Sequence, residues 1–328
     1  MQATQRVLPL PHRRQNARHN NKVNFFSTGY LDFLPDWLRI ILFFADLSIR
    51  VLSLFWLPYN RKPVVALGWL MAIFFIPFIG FLAFLIFGSS HLPQYRRARQ
   101  HAMNDLIRET TGGTPQLTDS DGLNEATLVA SQLNYKLGSL PLVGGNSFTL
   151  HNDNHEAMRI MAQEVNKAQR YVHFEFYITA YDEASKVLWD ALFAAQKRGV
   201  RVRVLIDHIG SRKYPSYRQL TKMLNESGIE WRLMLPIKPW RLQWQRPDLR
   251  NHRKILVIDS KIGYTGRFNL VDPRFFKKDS GVGEWVDVMM RCTGPLVLEL
   301  SAVFFADLAV ETDENLEGVQ QYLTQAQE

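Results

Sequence analysis

A single cysteine, Cys292, stands in 328 residues. With no second thiol the chain can form no internal disulfide and no thiolate metal cluster, so packing must hold the fold and the compartment is read as reducing. Nothing else in the sequence has metal-ligand spacing, which gives the expectation of no metal and no cofactor. Two further absences are local. Residues 64–88 carry no charge at all, and residues 292–328 carry no Lys or Arg. A net charge of +8, from 39 basic and 31 acidic residues, is therefore unevenly spread. Residues 1–100 hold 12 basic against 3 acidic residues and residues 197–291 hold 21 against 9, while residues 101–196 and 292–328 sum to −6 and −7. Two basic zones imply attraction to something anionic: nucleic acid, an acidic membrane surface or a phosphorylated substrate.

The first basic zone brackets two apolar runs. Residues 64–88 (VVALGWLMAIFFIPFIGFLAFLIFG) are apolar at 21 of 25 positions. As a helix rising ~1.5 Å per residue, such a run crosses a hydrocarbon core of roughly 30 Å, with kinks expected at Pro77 and Gly80. Residues 40–57 are apolar at 14 of 18 positions and carry Asp46 and Arg50, whose spacing puts both on one helical face where they pair. Only residues 58–63 separate the runs, so they are expected as a tight hairpin. Arg6, Arg13, Arg14, Arg18 and Lys22 precede it and Arg96, Arg97 and Arg99 follow, against Arg61 and Lys62 in the turn. By the positive-inside rule both ends are cytoplasmic, and no cleavable signal pattern is evident. The division read from the sequence is a disordered basic segment (1–36), a two-helix transmembrane hairpin (37–90), a linker with a short membrane-proximal segment (91–146), an α/β lobe (147–311) and a polar tail (312–328).

Within the lobe, residues 153–168 open with Asp and Asn caps and place Met158, Met161, Val165 and Ala168 on one helical face. A strand at 171–178, a helix at 183–198 ending near Gly199 and a strand at 200–207 predict a parallel βαβ unit. A helix near 216–227, strands near 230–235, 254–259, 262–265 and 285–291, and a last helix over 295–309 complete it.

The segment NHRKILVIDSKIGYTGRFNL carries the chemistry. His252 and Lys254 are two apart on an extended chain and leave the same face at the start of a strand. Asp259 ends that strand, and a turn near 260–262 returns the chain so that Gly266 and Asn269 approach the same end. Lys254 and Asn269 would donate to phosphoryl oxygens, Gly266 would admit close backbone approach, and His252 would supply the attacking nitrogen. Asp287, on the following strand, is the candidate acceptor for the other imidazole nitrogen. Glu175, amid apolar neighbours in FEFYI, needs a partner, for which Lys254 or a site arginine would serve. Asp259 belongs to the same constellation but is expected to act as a structural partner of the motif turn. His173 and His208 are read as satisfied histidines outside the chemistry. Arg241, Arg246, Arg250 and Arg253, interleaved with Trp240 and Trp244, are expected to face lipid headgroups, with residues 236–249 as an interfacial loop.

The spacing HxKxxxxDxxxxxxGxxN resembles the signature of the phospholipase D superfamily. The hairpin ending PFIGFLAFLIFG, then FEFYI, KRGVRVRVLIDHIGS, NHRKILVIDSKIGYTG and EWVDVMMRCTGPLV more closely resemble the bacterial cardiolipin synthases, over roughly residues 60–310. The resemblance implies an N-terminal transmembrane helical hairpin followed by one phospholipase D-like α/β lobe with a mixed sheet flanked by helices. It implies that His252 attacks a phosphodiester of phosphatidylglycerol or a related anionic phospholipid, giving a phosphohistidine that an alcohol resolves without metal. At position 267 an Arg replaces the superfamily's usual Ser or Gly; Arg267 would either add a phosphate contact or crowd the pocket. The family carries two such motifs on two lobes, and this chain has one. A second copy of the chain, another protein with the partner lobe, or truncation to a half-enzyme with little or no catalytic activity are the open alternatives, with a dimeric nuclease-type phosphodiesterase as a competing function and nucleic acid a disfavoured partner.

Overall fold

The structure, a computed structural model, describes residues 34–59, 61–88, 94–111, 122–214, 216–237, 250–275, 281, 284 and 286–312. It divides into two compact units, Met1–Ser89 and Ser90–Glu328.

The first unit holds α1 (Asp36–Trp56), α2 (Pro63–Phe75) and α3 (Pro77–Phe87). Asp46 and Arg50 pair along α1 at 3.0 Å, as their spacing requires. The single kinked helix expected over 64–88 is instead two helices. Pro77 has no N–H to donate and pushes its predecessor out of the helical region, and Ile76 sits at φ −137°, ψ 74°. The kink is thus a full break, and α3 folds back so that a Cβ on Gly80 would stand 2.7 Å from the Ala72 carbonyl carbon. Among the described residues no helix is both long and apolar enough to cross a membrane. Large apolar side chains nonetheless face outward along all three helices, among them Phe55, Val64 and Phe75 at 79%, 82% and 78% exposure.

The second unit is built on a seven-stranded mixed sheet of order β1-β7-β6-β5-β2-β3-β4. Its strands are β1 (Ser147–His151), β2 (Tyr171–Phe176), β3 (Arg201–Asp207), β4 (Glu230–Met234), β5 (Lys254–Ile258), β6 (Ile262–Gly266) and β7 (Met289–Thr293). Strands β2, β3 and β4 run parallel, and the remaining pairings are antiparallel. The βαβ unit is as expected: α7 (Lys186–Lys197) links β2 to β3. The helix α6 (Asn154–Lys167) is capped by Asp153, which accepts from the Glu156 N–H, and buries Met158, Met161 and Val165. Together with α9 (Tyr217–Ser227) these helices cover one sheet face around Phe174, Phe176 and Trp189.

On the other face lies α10 (Leu296–Glu311), packing Phe304 and Phe305 beneath β2 and β3. The segment read as a linker joins this layer. Its helix α4 (Gln94–Thr111) buries Met103, Leu106 and Ile107 against α10, and Arg96 forms a bidentate pair with Glu311 at 2.7 and 2.8 Å. A second helix there, α5 (Glu125–Gly138), buries no residue. The edge strand β1 also goes unpredicted: Phe148 and Leu150 alternate with polar neighbours, but the run is five residues long and its first four are exposed.

Asp207, at the end of β3, caps the short helix α8 (His208–Arg212) through the Gly210 N–H and takes Arg250 in a fully buried ion pair at 2.7 Å. Arg250 also donates to the Leu235 and Met234 carbonyls. It therefore anchors the approach to β5 and does not face lipid. Arg250→Ala would strand a buried carboxylate, and a loss of about 3–5 kcal/mol is expected in urea unfolding.

Candidate active site

Strands β5 and β6 are joined by three residues, Asp259 to Lys261, with Asp259 and Ser260 both at positive φ (51° and 53°) and the Lys261 N–H donating to the Ile258 carbonyl at 3.0 Å. Such a turn matches strand twist and fixes register. The register then sorts the motif. Lys254 lies opposite Phe176 and Ile255 opposite Glu175. Since alternate residues leave opposite faces, Lys254 and Glu175 are on different sides of the sheet.

On the Lys254 side, beyond the ends of β2 and β5, is a cavity of about 380 Å³. Its lining includes His252, Lys254, Arg267, Asn269 and Asp287, so five of the sequence-predicted residues converge there. His252, just before β5, is exposed, and its ring stacks on Tyr177 with centroids 3.9 Å apart. The Lys254 ammonium donates to the His252 carbonyl at 2.8 Å and lies 5.7 Å from the Tyr177 ring. Partial burial, then the Lys254 charge, hold the imidazole below its ordinary value, so its neutral, nucleophilic form dominates near neutrality. Burial lowers Lys254 too, with Asp287 opposing and Arg267 adding to the drop. Asn269 lines the same cavity, and its buried Oδ1 has no protein partner.

Four expectations change. Asp287 shares the cavity, but its charge acts on Lys254, and no hydrogen bond to His252 occurs among the described residues. Gly266 does not line the cavity. A Cβ there would stand 2.8 Å from the Met289 Cα, so glycine serves the close β6–β7 approach. Glu175 is buried on the opposite face, accepting from Asn251 Nδ2 at 2.9 Å, and does not bind the site's cations. Arg253, also expected to face headgroups, pairs with Asp307. The other members of that basic set, Arg241, Arg246, Trp240 and Trp244, lie outside the described residues, as does nearly all of the proposed interfacial loop.

Asp259 is the structural partner the turn called for. It stands at the far end of β5, roughly 16 Å from Lys254 by strand rise. Its carboxylate accepts the Gln169, Arg170 and Tyr171 N–H groups at 2.8, 2.8 and 2.9 Å, pinning the start of β2. His173 is buried between Tyr171 and Phe304, and His208 accepts the Ile237 N–H at 3.1 Å.

Sequence reasoning passed over Tyr177, Asn154 and Lys213. Tyr177 follows Glu175 by two in the quoted FEFYI run, and alternation alone gave no reason to prefer it. Asn154 was read as a cap, but Asp153 caps α6 and Asn154 lines the cavity with a buried, unpartnered Oδ1.

An imidazole, cationic side chains and an amide thus surround one cavity on a mixed α/β sheet. Residues 161–280 match the cardiolipin synthase, PLD-like domain, and residues 47–89 match the phospholipase D-nuclease N-terminal family. The chain is 32% identical over 294 residues to cardiolipin synthase A of Yersinia pseudotuberculosis serotype O:1b, covering 88% of this chain and 58% of that protein. Against cardiolipin synthase A of Escherichia fergusonii the identity is 33% over 293 residues, with the same coverage of each. The chain thus spans 58% of the length of these relatives. Among solved structures, NucT from Helicobacter pylori overlays 51% of this chain and 99% of its own at TM-score 0.39 and 12% identity. Nuc from Salmonella typhimurium, a phospholipase D family member, overlays 51% and 97% at TM-score 0.38 and 18% identity.

Removing the Asp259 carboxylate leaves three N–H groups without their acceptor. Asp259→Ala is expected to cost about 2–4 kcal/mol in urea unfolding, with purified protein that still folds retaining the reactivity of His252.

Proposed function

We propose that this chain is a cardiolipin synthase-like phosphatidyltransferase acting on phosphatidylglycerol-type phospholipids through a phosphohistidine. The observation that carries the reading is the convergence of His252, Lys254 and Asn269 on one cavity. In the first step a neutral His252 nitrogen attacks the phosphorus of the lipid phosphodiester, the phosphorus–oxygen bond to the leaving alcohol breaks, and phosphatidyl-His252 forms. In the second, an acceptor alcohol gives its proton to the group that protonated the leaving oxygen, attacks that phosphorus, releases the imidazole and forms the new phosphodiester. Lys254 holds the phosphoryl oxygens as their charge grows, with Arg267 at the rim of the same cavity. Asp287 keeps the Lys254 ammonium charged against burial.

The leaving oxygen needs a proton, and His252 is the one histidine among the described residues lining the cavity. A second motif-bearing lobe supplies that donor, in the simplest case a second copy of this chain related by a two-fold axis. The first unit sits in the cell membrane with both flanks cytoplasmic. The outward apolar side chains of α1, α2 and α3 support this, since such a surface is not left to water, and so does the basic excess on both flanks.

The test uses full-length protein in detergent with labelled phosphatidylglycerol and, separately, single-stranded DNA. Wild type should form cardiolipin or phosphatidic acid; His252→Ala should form none, and Lys254→Met should be slower by about 10²–10³. The rate should fall as pH drops and His252 protonates, at a pH below the ordinary value of 6.5. DNA cleavage without lipid turnover would replace this reading with a nuclease.

A further inference from the structure

On the sheet face opposite the cavity, two carboxyl groups are buried together, and the chemistry above uses neither. Glu175 on β2 is fully buried, and Asp307 on α10 lies beside it with its side chain 14% exposed. Both receive one amide: Asn251 Nδ2 donates to Glu175 Oε1 at 2.9 Å and to Asp307 Oδ2 at 2.9 Å. The Asn251 Oδ1 in turn accepts the Arg253 N–H at 3.0 Å, and the Arg253 guanidinium pairs with Asp307. The two neighbours of His252 are therefore tied to the same carboxyl pair. The β2–β5 ladder begins only at Lys254, so these bonds replace strand pairing over residues 251–253.

Burial first, then the Asp307 charge, hold Glu175 well above the ordinary carboxylate range, with Arg253 opposing. Asp307 in turn is paired with Arg253. The nearby charges on other elements are matched among themselves: Arg96 of α4 with Glu311 of α10, and Arg250 with Asp207 of β3.

We infer that Asn251, seated on the Glu175 and Asp307 carboxyls, is a positioning residue that fixes the backbone on both sides of His252 and so holds the imidazole on Tyr177 at the cavity. The stacked ring is otherwise exposed, and a ring contact alone does not select one orientation. The catalytic part of this inference rests on His252 being the nucleophile.

The test labels full-length protein in detergent with diethyl pyrocarbonate and reads His252 against exposed His155 by peptide mass spectrometry. Asn251→Ala should raise the His252 to His155 ratio about fivefold, as expected of a freed side chain. Turnover of phosphatidylglycerol should show kcat lower by about tenfold or more with KM nearly unchanged, the signature of lost orientation. Glu175→Gln keeps a neutral acceptor and should match wild type in labelling, whereas Glu175→Ala should behave like Asn251→Ala. The Glu175→Gln and Glu175→Ala comparison carries the test if Asn251→Ala does not fold. Labelling unchanged in Asn251→Ala, or equal in the two Glu175 variants, overturns the inference. Labelling that changes as expected in a protein that turns over no lipid upholds the positioning role and removes the nucleophile reading instead.

Discussion

The antiparallel pairing of β5 with β2 is the constraint on which the site depends. It is pinned at one end by the Asp259 carboxylate, which accepts three N–H groups at the start of β2. At the other end its register sends Lys254 to the cavity and Glu175 to the opposite face. A slip of β5 by one residue would turn Lys254 to the α10 face, beside Glu175, and take its ammonium out of the cavity. Asp259 thus bears on the cavity only through the register it enforces.

The basic zone around this strand divides by burial. Arg250 is spent on Asp207, and Arg253 on Asp307. Lys254 and Arg267 remain at the cavity, with Asp287 the carboxylate beside them. A net count of charge over residues 197–291 mixes structural cations with binding ones, and only geometry separates them. Similarly, α4 is polar overall, yet it buries Met103, Leu106 and Ile107 and closes the α10 layer through Arg96 and Glu311.

Much of this was legible in the sequence. The face of α6, the βαβ unit and the Asp46–Arg50 pair follow from local periodicity, which fixes direction within one element. His252, Lys254 and Asn269 were legible because a hairpin of known spacing brings its own ends together. What stayed hidden depends on contacts between distant elements. The placement of Glu175 follows from β2–β5 register, that of Arg250 from a carboxylate 43 residues earlier, and the role of Gly266 from the approach of β7. Pro77 marks a disturbance in the sequence, but periodicity does not report the full break or the approach of Gly80 to Ala72 that accompanies it.

The proposed chemistry turns on a covalent bond between phosphorus and His252. Full-length protein incubated briefly with phosphatidylglycerol labelled in its phosphate, then quenched in alkali, should yield a peptide containing residues 250–254 with the label on His252, stable in base and lost in acid. Label on another residue, or product formed by His252→Ala at the wild-type rate, would contradict it.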